Sequence, residues 1–248
     1  MRIQNATLYR LFGLIVGSMF LHACDSNSAV AVPPPPPPPP PPAMASFDIT
    51  VSNLTNAQPL SPIAVIGHRA GYTVFTIGDA ANPGLEEMAE GGDNTALLAE
   101  AAADAAVVVT GSGAAPIGPA GSETVTINLL DSERQGLLLS VGTMLVNTND
   151  AFSGLSSAAI GAMAVGDISS FDGVAYDAGT ESDSESAIHI PGPAGGGEGF
   201  NSARDDQVDR VAMHAGIVSQ NDGLATSDLT EQHRFDNPVL RVRIERTQ

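Results

Sequence analysis

The sequence lacks lysine and tryptophan, and its 248 residues include a single cysteine, Cys24. Without lysine the chain cannot form a Schiff base, a Ser–Lys dyad or a phosphate-binding P-loop. A lone cysteine also excludes a disulfide within the chain. The motifs Gly-x-Ser-x-Gly and His-Glu-x-x-His, typical of serine hydrolases and zinc proteases, do not occur either. With no tryptophan and few other aromatic residues, a carbohydrate-stacking face is disfavoured as well.

Basic residues are scarce, whereas acidic residues are abundant. The chain has 28 Asp and Glu against 10 basic residues, all of them arginine, and its formal net charge is −18. Such an excess repels nucleic acids and anionic membrane surfaces, and it attracts divalent cations. We therefore expect no nucleic-acid partner.

The first 24 residues have the features of an export signal. Arg2 and Arg10 supply positive charge around an apolar run, residues 11–21, that is too short to cross a bilayer as a helix. The segment ends in Leu-His-Ala-Cys, which is close to the lipobox of bacterial lipoproteins. We predict that Cys24 is lipidated and that the protein is exported, anchored to a membrane and facing the periplasm or the cell exterior.

Residues 25–45 are predicted to be a linker. Their ten consecutive prolines, residues 33–42, favour a polyproline II helix. At about 3.1 Å per residue, this run would make a stiff spacer roughly 30 Å long. Residues 46–248 remain as one domain, which is long enough to bury a core.

Short segments of apolar and strand-forming residues, separated by Gly, Pro and Asp, predict a mainly β domain, an antiparallel β-sandwich with a short helical excursion. A first helix is expected to begin at Pro83, and a second, capped by Asn94, to cover residues 95–105. Residues 156–163 are alanine-rich and ambiguous, and residues 179–201 have the composition of an irregular loop. The predicted strands cover residues 47–52, 61–67, 72–77, 106–110, 123–130, 136–146, 170–176, 210–218 and 238–246.

Two turn-rich segments, residues 147–155 and 176–183, carry oxygen ligands directly after predicted strands. Their aspartates, Asp150 and Asp177, lie 27 positions apart, a spacing that suits loops at one end of a sheet. Carboxylate and carbonyl oxygens are the ligands that calcium prefers. The alternative is that Asp and Gly occur here only because they are common turn residues.

The same segments resemble a known family. The phrase Asn-Asp-Ala-Phe-Ser-Gly-Leu at residues 149–155, followed by Tyr-Asp-Ala-Gly-Thr-Glu at residues 176–181, is similar to the spondin N-terminal domain. Pro-Leu-Ser-Pro at residues 59–62 and the segment at residues 82–93 resemble its bacterial members. The similarity extends over roughly residues 46–246.

This resemblance implies a calcium-binding β-sandwich similar to a C2 domain. The family's metal ligands, carried onto this chain, are Asp150, Asp177 and Glu181. The animal domains usually have aspartate at the third place, and Glu181 is one methylene longer, so Asp183 is an alternative third ligand. Calcium is the cofactor that the resemblance implies.

Other polar residues are interpreted as structural or exposed. The four histidines beyond the signal, His68, His189, His214 and His233, are widely spaced and form no zinc motif. Glu86, Glu87 and Glu90 are interpreted as the exposed face of the first helix. Around Arg204 and Arg210, the acids Asp205, Asp206 and Asp209 are interpreted as a salt-bridged surface.

The sequence therefore predicts a calcium-binding module for adhesion or recognition, without enzymatic activity, whose partner is an unknown protein or glycan. The alternative is a metal-dependent hydrolase that uses the same carboxylates with a histidine such as His68 or His214. In a third interpretation, calcium only stiffens the loops and another surface binds the partner.

Lipidation at Cys24 can be tested in cells that produce the full chain. A palmitate analogue is expected to label the wild type but not the Cys24→Ser variant, because the thiol is the acceptor. Equal labelling of both proteins would contradict the prediction.

Overall fold

The computed structural model of the chain describes residues 35–204 and 208–248. The predicted signal, Cys24, the first prolines of the linker, Asp205 and Asp206 lie outside the described residues. Residues 35–40 are exposed prolines without regular secondary structure, and residues 41–248 form one compact unit. No helix in the described part of the chain is long and apolar enough to cross a membrane.

Two antiparallel sheets enclose the main core, which confirms the predicted mainly β sandwich. One sheet has the strand order β4-β1-β10-β7, and the other has the order β3-β2-β5-β6-β8-β9. The strands are β1 Met44–Asn53, β2 Ala64–His68, β3 Val107–Ser112, β4 Ser122–Leu130, β5 Leu138–Met144, β6 Ala151–Ala159, β7 Ile168–Gly173, β8 Ala175–Asp177, β9 Ala212–Met213 and β10 Leu240–Arg246.

The alternation of apolar and polar residues explains how the strands pack. In β10, Leu240, Val242 and Ile244 are fully buried, as predicted, because alternate side chains point to the same face of a strand. Its neighbour β1 places Ile49 opposite Ile244 and Val51 opposite Val242. The two central strands of this sheet therefore present one continuous apolar face to the core.

Two helices, α1 Pro83–Gly91 and α2 Thr95–Ala103, pack on the outer side of the six-stranded sheet. Asn82 caps α1 by accepting a hydrogen bond from the amide of Leu85 at 2.7 Å, and proline begins the helix as predicted. Asn94 occupies the N-cap position of α2, as predicted, but its side chain makes no capping bond. The carboxylate of Asp93 accepts the Thr95 amide instead.

Two of the predicted strands do not form as expected. Residues 72–77 have no strand partner; Phe75 instead packs its ring 5.0 Å from that of Phe152, under the helical layer. Residues 210–218 contribute only β9, because neighbouring backbone groups pair with a loop: the Val211 amide donates to the carbonyl of Asp79. The ambiguous alanine-rich segment overlaps the end of β6, which begins earlier, at Ala151.

Four short 3₁₀ helices complete the regular structure of the described residues. Residues 179–201 are otherwise irregular, as predicted. The 3₁₀ helices are Asp131–Glu133, Ala187–His189, Gln220–Asp222 and Glu231–His233.

Candidate functional site

The two aspartate loops lie at the same end of the six-stranded sheet. Strands β6 and β8 are antiparallel neighbours, and their register places Ala151 opposite Asp177. The loop that enters β6 and the loop that leaves β8 therefore meet. The amide of Ala178 donates to the backbone carbonyl of Asp150 at 3.4 Å, one residue beyond the last strand pair.

The side chain of Asp150 is fully buried between these loops. Its Oδ2 accepts hydrogen bonds from the amides of Thr180 at 2.8 Å and Glu181 at 3.1 Å, and from the Thr180 hydroxyl at 3.3 Å. Its Oδ1 is also buried but has no hydrogen-bond partner. A buried carboxylate oxygen without a partner is costly, and it is chemically suited to a cation.

Other carboxylates lie close to Asp150 and disfavour its charged form. Burial raises the pKa of Asp150 well above its ordinary value, and the charges of Asp177 and Asp183 raise it further. The amides of Glu181 and Thr180 oppose this shift in the pKa without cancelling it. The charges of two other predicted ligands, Asp177 and Asp183, therefore act on the buried carboxyl of Asp150.

A steric constraint explains why the third residue of the Asp-Ala-Gly-Thr motif is glycine. Gly179 has a φ of +73°, and a Cβ built there would lie 2.3 Å from the backbone oxygen of Arg210. Its amide donates to Oδ1 of Asp177 at 2.7 Å. Because glycine alone tolerates both the left-handed backbone and the close approach, it allows the chain to turn tightly around Asp177.

Glu181, the third ligand implied by the family resemblance, lies in a different environment. Its carboxylate forms an ion pair with Arg204 and accepts a hydrogen bond from the side-chain amide of Asn149 at 3.3 Å. Burial raises the pKa of Glu181 to about 7; Arg204 lowers it, and the nearby Glu90 raises it. Arg204 therefore acts on Glu181, whereas the charges of Asp177 and Asp183 act on Asp150.

The pair of Glu181 and Arg204 belongs to a larger ionic cluster that the sequence analysis missed. Glu90 was expected on the exposed face of α1, but its side chain is fully buried and lies 3.6 Å from Arg204. Arg204 also pairs with Glu198 at 3.1 Å and has a mostly buried side chain, whereas Asp209, one of the acids interpreted as a salt-bridged surface, is exposed. The helical spacing of Glu86 and Glu90 predicted that both side chains share one exposed face of α1. The loop that covers α1 buries Glu90, and the spacing alone does not predict this loop.

The histidines differ in their relation to the loops. His68, named as a hydrolase candidate, is buried in β2 and uses both ring nitrogens, toward Ser140 and the carbonyl of Arg69, at 2.9 Å each. His214 does lie at the loops: its Nε2 is 3.7 Å from Oδ1 of Asp183. Its Nδ1 accepts the amide of Gly216 at 2.9 Å. Burial lowers the pKa of His214, although Asp177 opposes this, which favours the neutral ring.

A cavity of about 210 Å³ opens beside the loops. His214 is not among its lining residues; the imidazole that faces it is that of His189, which contacts the Ser184 hydroxyl at 3.4 Å. That distance is too long for a well-formed hydrogen bond to an activated serine. The residues that line the cavity are Glu181, Ser182, Ser184, His189 and Arg204.

The acidic side chains of the two aspartate loops offer oxygen ligands, and these suit a hard cation such as calcium better than zinc or copper. The described residues contain no group of three or more His, Cys, Asp or Glu side chains already arranged to hold a metal ion. Binding would therefore require Asp177 and Asp183 to close on Asp150. The orphaned Oδ1 of Asp150 gives such an ion its most favourable first contact.

Glu185 is a third buried acid of the loops, after Asp150 and Glu181, and gives a test of their electrostatics. One of its oxygens accepts the amide of Val218 at 3.3 Å, and the other has no partner. Burial raises the pKa of Glu185 from 4.5 to about 7, with Asp183 adding to the shift. The folded state should thus lose stability as the pH rises from about 4.5 to about 7, since the unfolded chain ionises first.

The Glu185→Gln variant should remove this loss. We expect it to raise the free energy of unfolding at pH 8 by on the order of 1–3 kcal/mol, and to flatten the dependence of that energy on pH. Urea unfolding at several pH values measures both effects. Glu100→Gln, at an exposed position of α2, is the matched control and should change stability by less than about 0.5 kcal/mol. A Glu185→Gln variant that is less stable at pH 8 would contradict the assignment.

Comparison with known proteins identifies the fold that carries these loops. A search of the curated proteins finds no match to the chain. The family model Spondin_N matches residues 54–188, a span that includes α1, α2, both aspartate loops and strands β2 to β8. This family comprises extracellular domains without enzymatic activity, which supports an exported protein and a recognition or adhesion type of module. The chain belongs to the spondin N-terminal domain family.

Proposed function

We propose that this protein is an extracytoplasmic recognition or adhesion module in which one calcium ion fixes the two aspartate loops. The observation that carries the proposal is the buried Oδ1 of Asp150, which has no partner and lies among the charges of Asp177 and Asp183. When bound, the ion would supply positive charge to acids that otherwise repel one another. It would thereby stiffen the loops that join β5 to β6 and that follow β8.

The residues that would hold the ion are Asp150, Asp177 and Asp183. Arg204 already neutralises the carboxylate of Glu181. If Glu181 moved toward the ion, it would break this ion pair, and Arg204 and Glu90 would have to rearrange. The backbone amides on Oδ2 of Asp150 fix the orientation of that carboxylate. This preorganisation supports Asp150 as the ligand around which the other two close.

A metal-dependent hydrolase is the competing function, and the proximity of His214 to Asp183 is the observation in its favour. The state of the ring weighs against it. Since Nδ1 accepts a backbone amide, the neutral ring carries its proton on Nε2, and that nitrogen cannot also donate a lone pair to a metal. We infer that His214 donates toward Asp183 and supports its position.

Anchoring through Cys24 is part of the proposal. The lipid would hold the chain at a membrane, and the proline-rich residues 33–42 would separate the module from its surface. The module would thus be presented to partners outside the cytoplasm.

Calcium binding is tested by calorimetric titration and by melting curves with calcium and with a chelator. A hundredfold excess of calcium over Kd should stabilise the wild type by about 2.7 kcal/mol. Asp177→Asn and Asp150→Asn should each weaken binding at least about tenfold, since each removes a charged ligand. A wild type that shows neither heat of binding nor a shift in melting temperature would contradict the metal site.

The identity of the third ligand is tested by a matched pair of carboxylate-to-amide substitutions. Asp183→Asn should weaken calcium binding about tenfold, whereas Glu181→Gln should leave the Kd within about threefold of the wild type. The expected difference arises because Arg204 already pairs with Glu181. The reverse order would assign the third place to Glu181.

The absence of enzymatic activity is tested with panels of ester, phosphate, peptide and glycoside substrates in the presence of calcium or zinc. We expect only background turnover. Turnover that disappears in Asp150→Asn or in a His214→Gln variant would instead support the hydrolase.

A further inference from the structure

A groove lined by none of the proposed calcium ligands lies beside β6 and β7. It forms where the chain leaves β7 in one sheet and, after Val174, enters β8 in the other. Its volume is about 560 Å³, larger than the cavity at the loops. The residues that line it are Phe75, Thr76, Ile77, Gly154, Leu155, Ser156, Asp172, Val174 and Tyr176.

One wall of the groove is an unpaired strand edge. Strand β6 pairs with β5 along most of its length, but β8 covers its other edge only from Ala151 to Ser153. Beyond Ser153, that edge has no strand partner within residues 35–204 and 208–248. Gly154, Leu155 and Ser156 of this edge face the groove. The opposite wall includes Asp172 of β7, another edge strand, whose one partner in the described sheets is β10.

The groove lining combines apolar side chains and the hydroxyls of Thr76 and Ser156 with one ion-paired carboxylate. Phe75 and Tyr176 pack their rings 4.8 Å apart at one end, and Ile77 beside them is 58% exposed. Leu155 is half-buried. Asp172 is the one charged residue of the lining, and Arg241 on β10 binds it through two hydrogen bonds of 2.8 and 3.3 Å.

An unpaired strand edge is complementary to an extended polypeptide, which supplies backbone donors and acceptors at the strand repeat. Exposed apolar side chains beside the edge, such as that of Ile77, would contact alternate side chains of the added strand. A second copy of this chain is a poor occupant, because two molecules of net charge −18 repel each other. The charge favours a basic partner.

Strand β10 of the other sheet serves as a model for such a partner. It pairs with the other edge of β7 and has the sequence Leu-Arg-Val-Arg-Ile-Glu-Arg, in which apolar residues alternate with charged ones. Its Val242 and Ile244 enter the core, while Arg241 reaches Asp172. A peptide with this pattern could place apolar side chains toward Leu155 and basic ones toward solvent.

We propose that the groove binds an extended, basic peptide segment of a partner protein by adding it as a strand to the free edge of β6 at Gly154–Ser156. This inference rests on the proposed recognition function and names the class of its partner. The binding edge contains none of the proposed calcium ligands. The two proposals can therefore fail separately.

The probe is a fluorescein-labelled peptide with the sequence of residues 240–246, titrated into the purified full chain in chelator and followed by fluorescence anisotropy. We expect saturable binding. The same peptide with N-methyl groups on alternate residues should bind at least about tenfold more weakly, because it cannot donate to a strand edge. A scrambled peptide of equal composition should also bind at least about tenfold more weakly.

Two matched substitutions locate the binding surface. Ile77→Arg, at an exposed position of the groove, should weaken binding at least about fivefold by placing positive charge against a basic peptide. Ile188→Arg, at a position 66% exposed outside the groove lining, should change the Kd by less than about twofold. The peptide has the sequence of β10 and could also bind by displacing β10 from its sheet. Binding of that kind would not depend on residue 77, so the two variants distinguish strand addition at the groove from displacement of β10.

No saturable binding, equal binding of the N-methylated peptide, or equal effects of the two substitutions would each overturn the proposal. Calorimetric titration of the same protein with calcium alone is the parallel measurement. Peptide binding without calcium binding would support the groove proposal and contradict the metal site. Calcium binding without peptide binding would support the metal site and contradict the groove proposal.

Discussion

The carboxylate of Asp150 accepts the backbone amides of Thr180 and Glu181, and the arrangement of the loops depends on this contact. It joins the turn before β6 to the segment after β8, so two stretches far apart in sequence become one structure. The contact uses only Oδ2. Oδ1 stays buried without a partner, and the neighbouring charges of Asp177 and Asp183 make that arrangement unfavourable for an ionised side chain. The same contact thus fixes the loops and leaves one buried carboxylate oxygen of Asp150 without a hydrogen-bond partner.

Two groups of acids lie close together at these loops, and the fold treats them differently. Glu181 and Glu90 receive an internal cation, since Arg204 reaches both of them from the irregular segment after β8. At Asp150, the charges of Asp177 and Asp183 add to burial in raising the pKa of the carboxyl, and His214 faces Asp183 at 3.7 Å with its pKa lowered by burial. The buried Oδ1 of Asp150, which has no partner, is the physical basis for proposing an external cation at this carboxylate. The ion pair with Arg204 is the basis for leaving Glu181 out of the proposed site.

Local pattern was sufficient to predict much of the sandwich and part of the site. Alternation identified β1 and β10, the Asn-Pro pair identified the start of α1, and the positions of Asp150 and Asp177 after strands placed them at one end of the sheet. The predictions that were wrong concern residues whose contacts come from distant parts of the sequence. Residues 72–77 and 210–218 alternate suitably, but loops and helices take their side chains or backbone groups. Glu90 has the spacing of an exposed helix face, and only the loop that brings Arg204 over α1 buries it.

A crystal structure determined with calcium would test the central claim most directly. The account predicts one ion within about 2.3–2.6 Å of Oδ1 of Asp150, with carboxylate oxygens of Asp177 and Asp183 completing the protein ligands and with Arg204 still paired to Glu181. An ion bound by Glu181 after Arg204 has moved away, or no ion at Asp150 under saturating calcium, would contradict it.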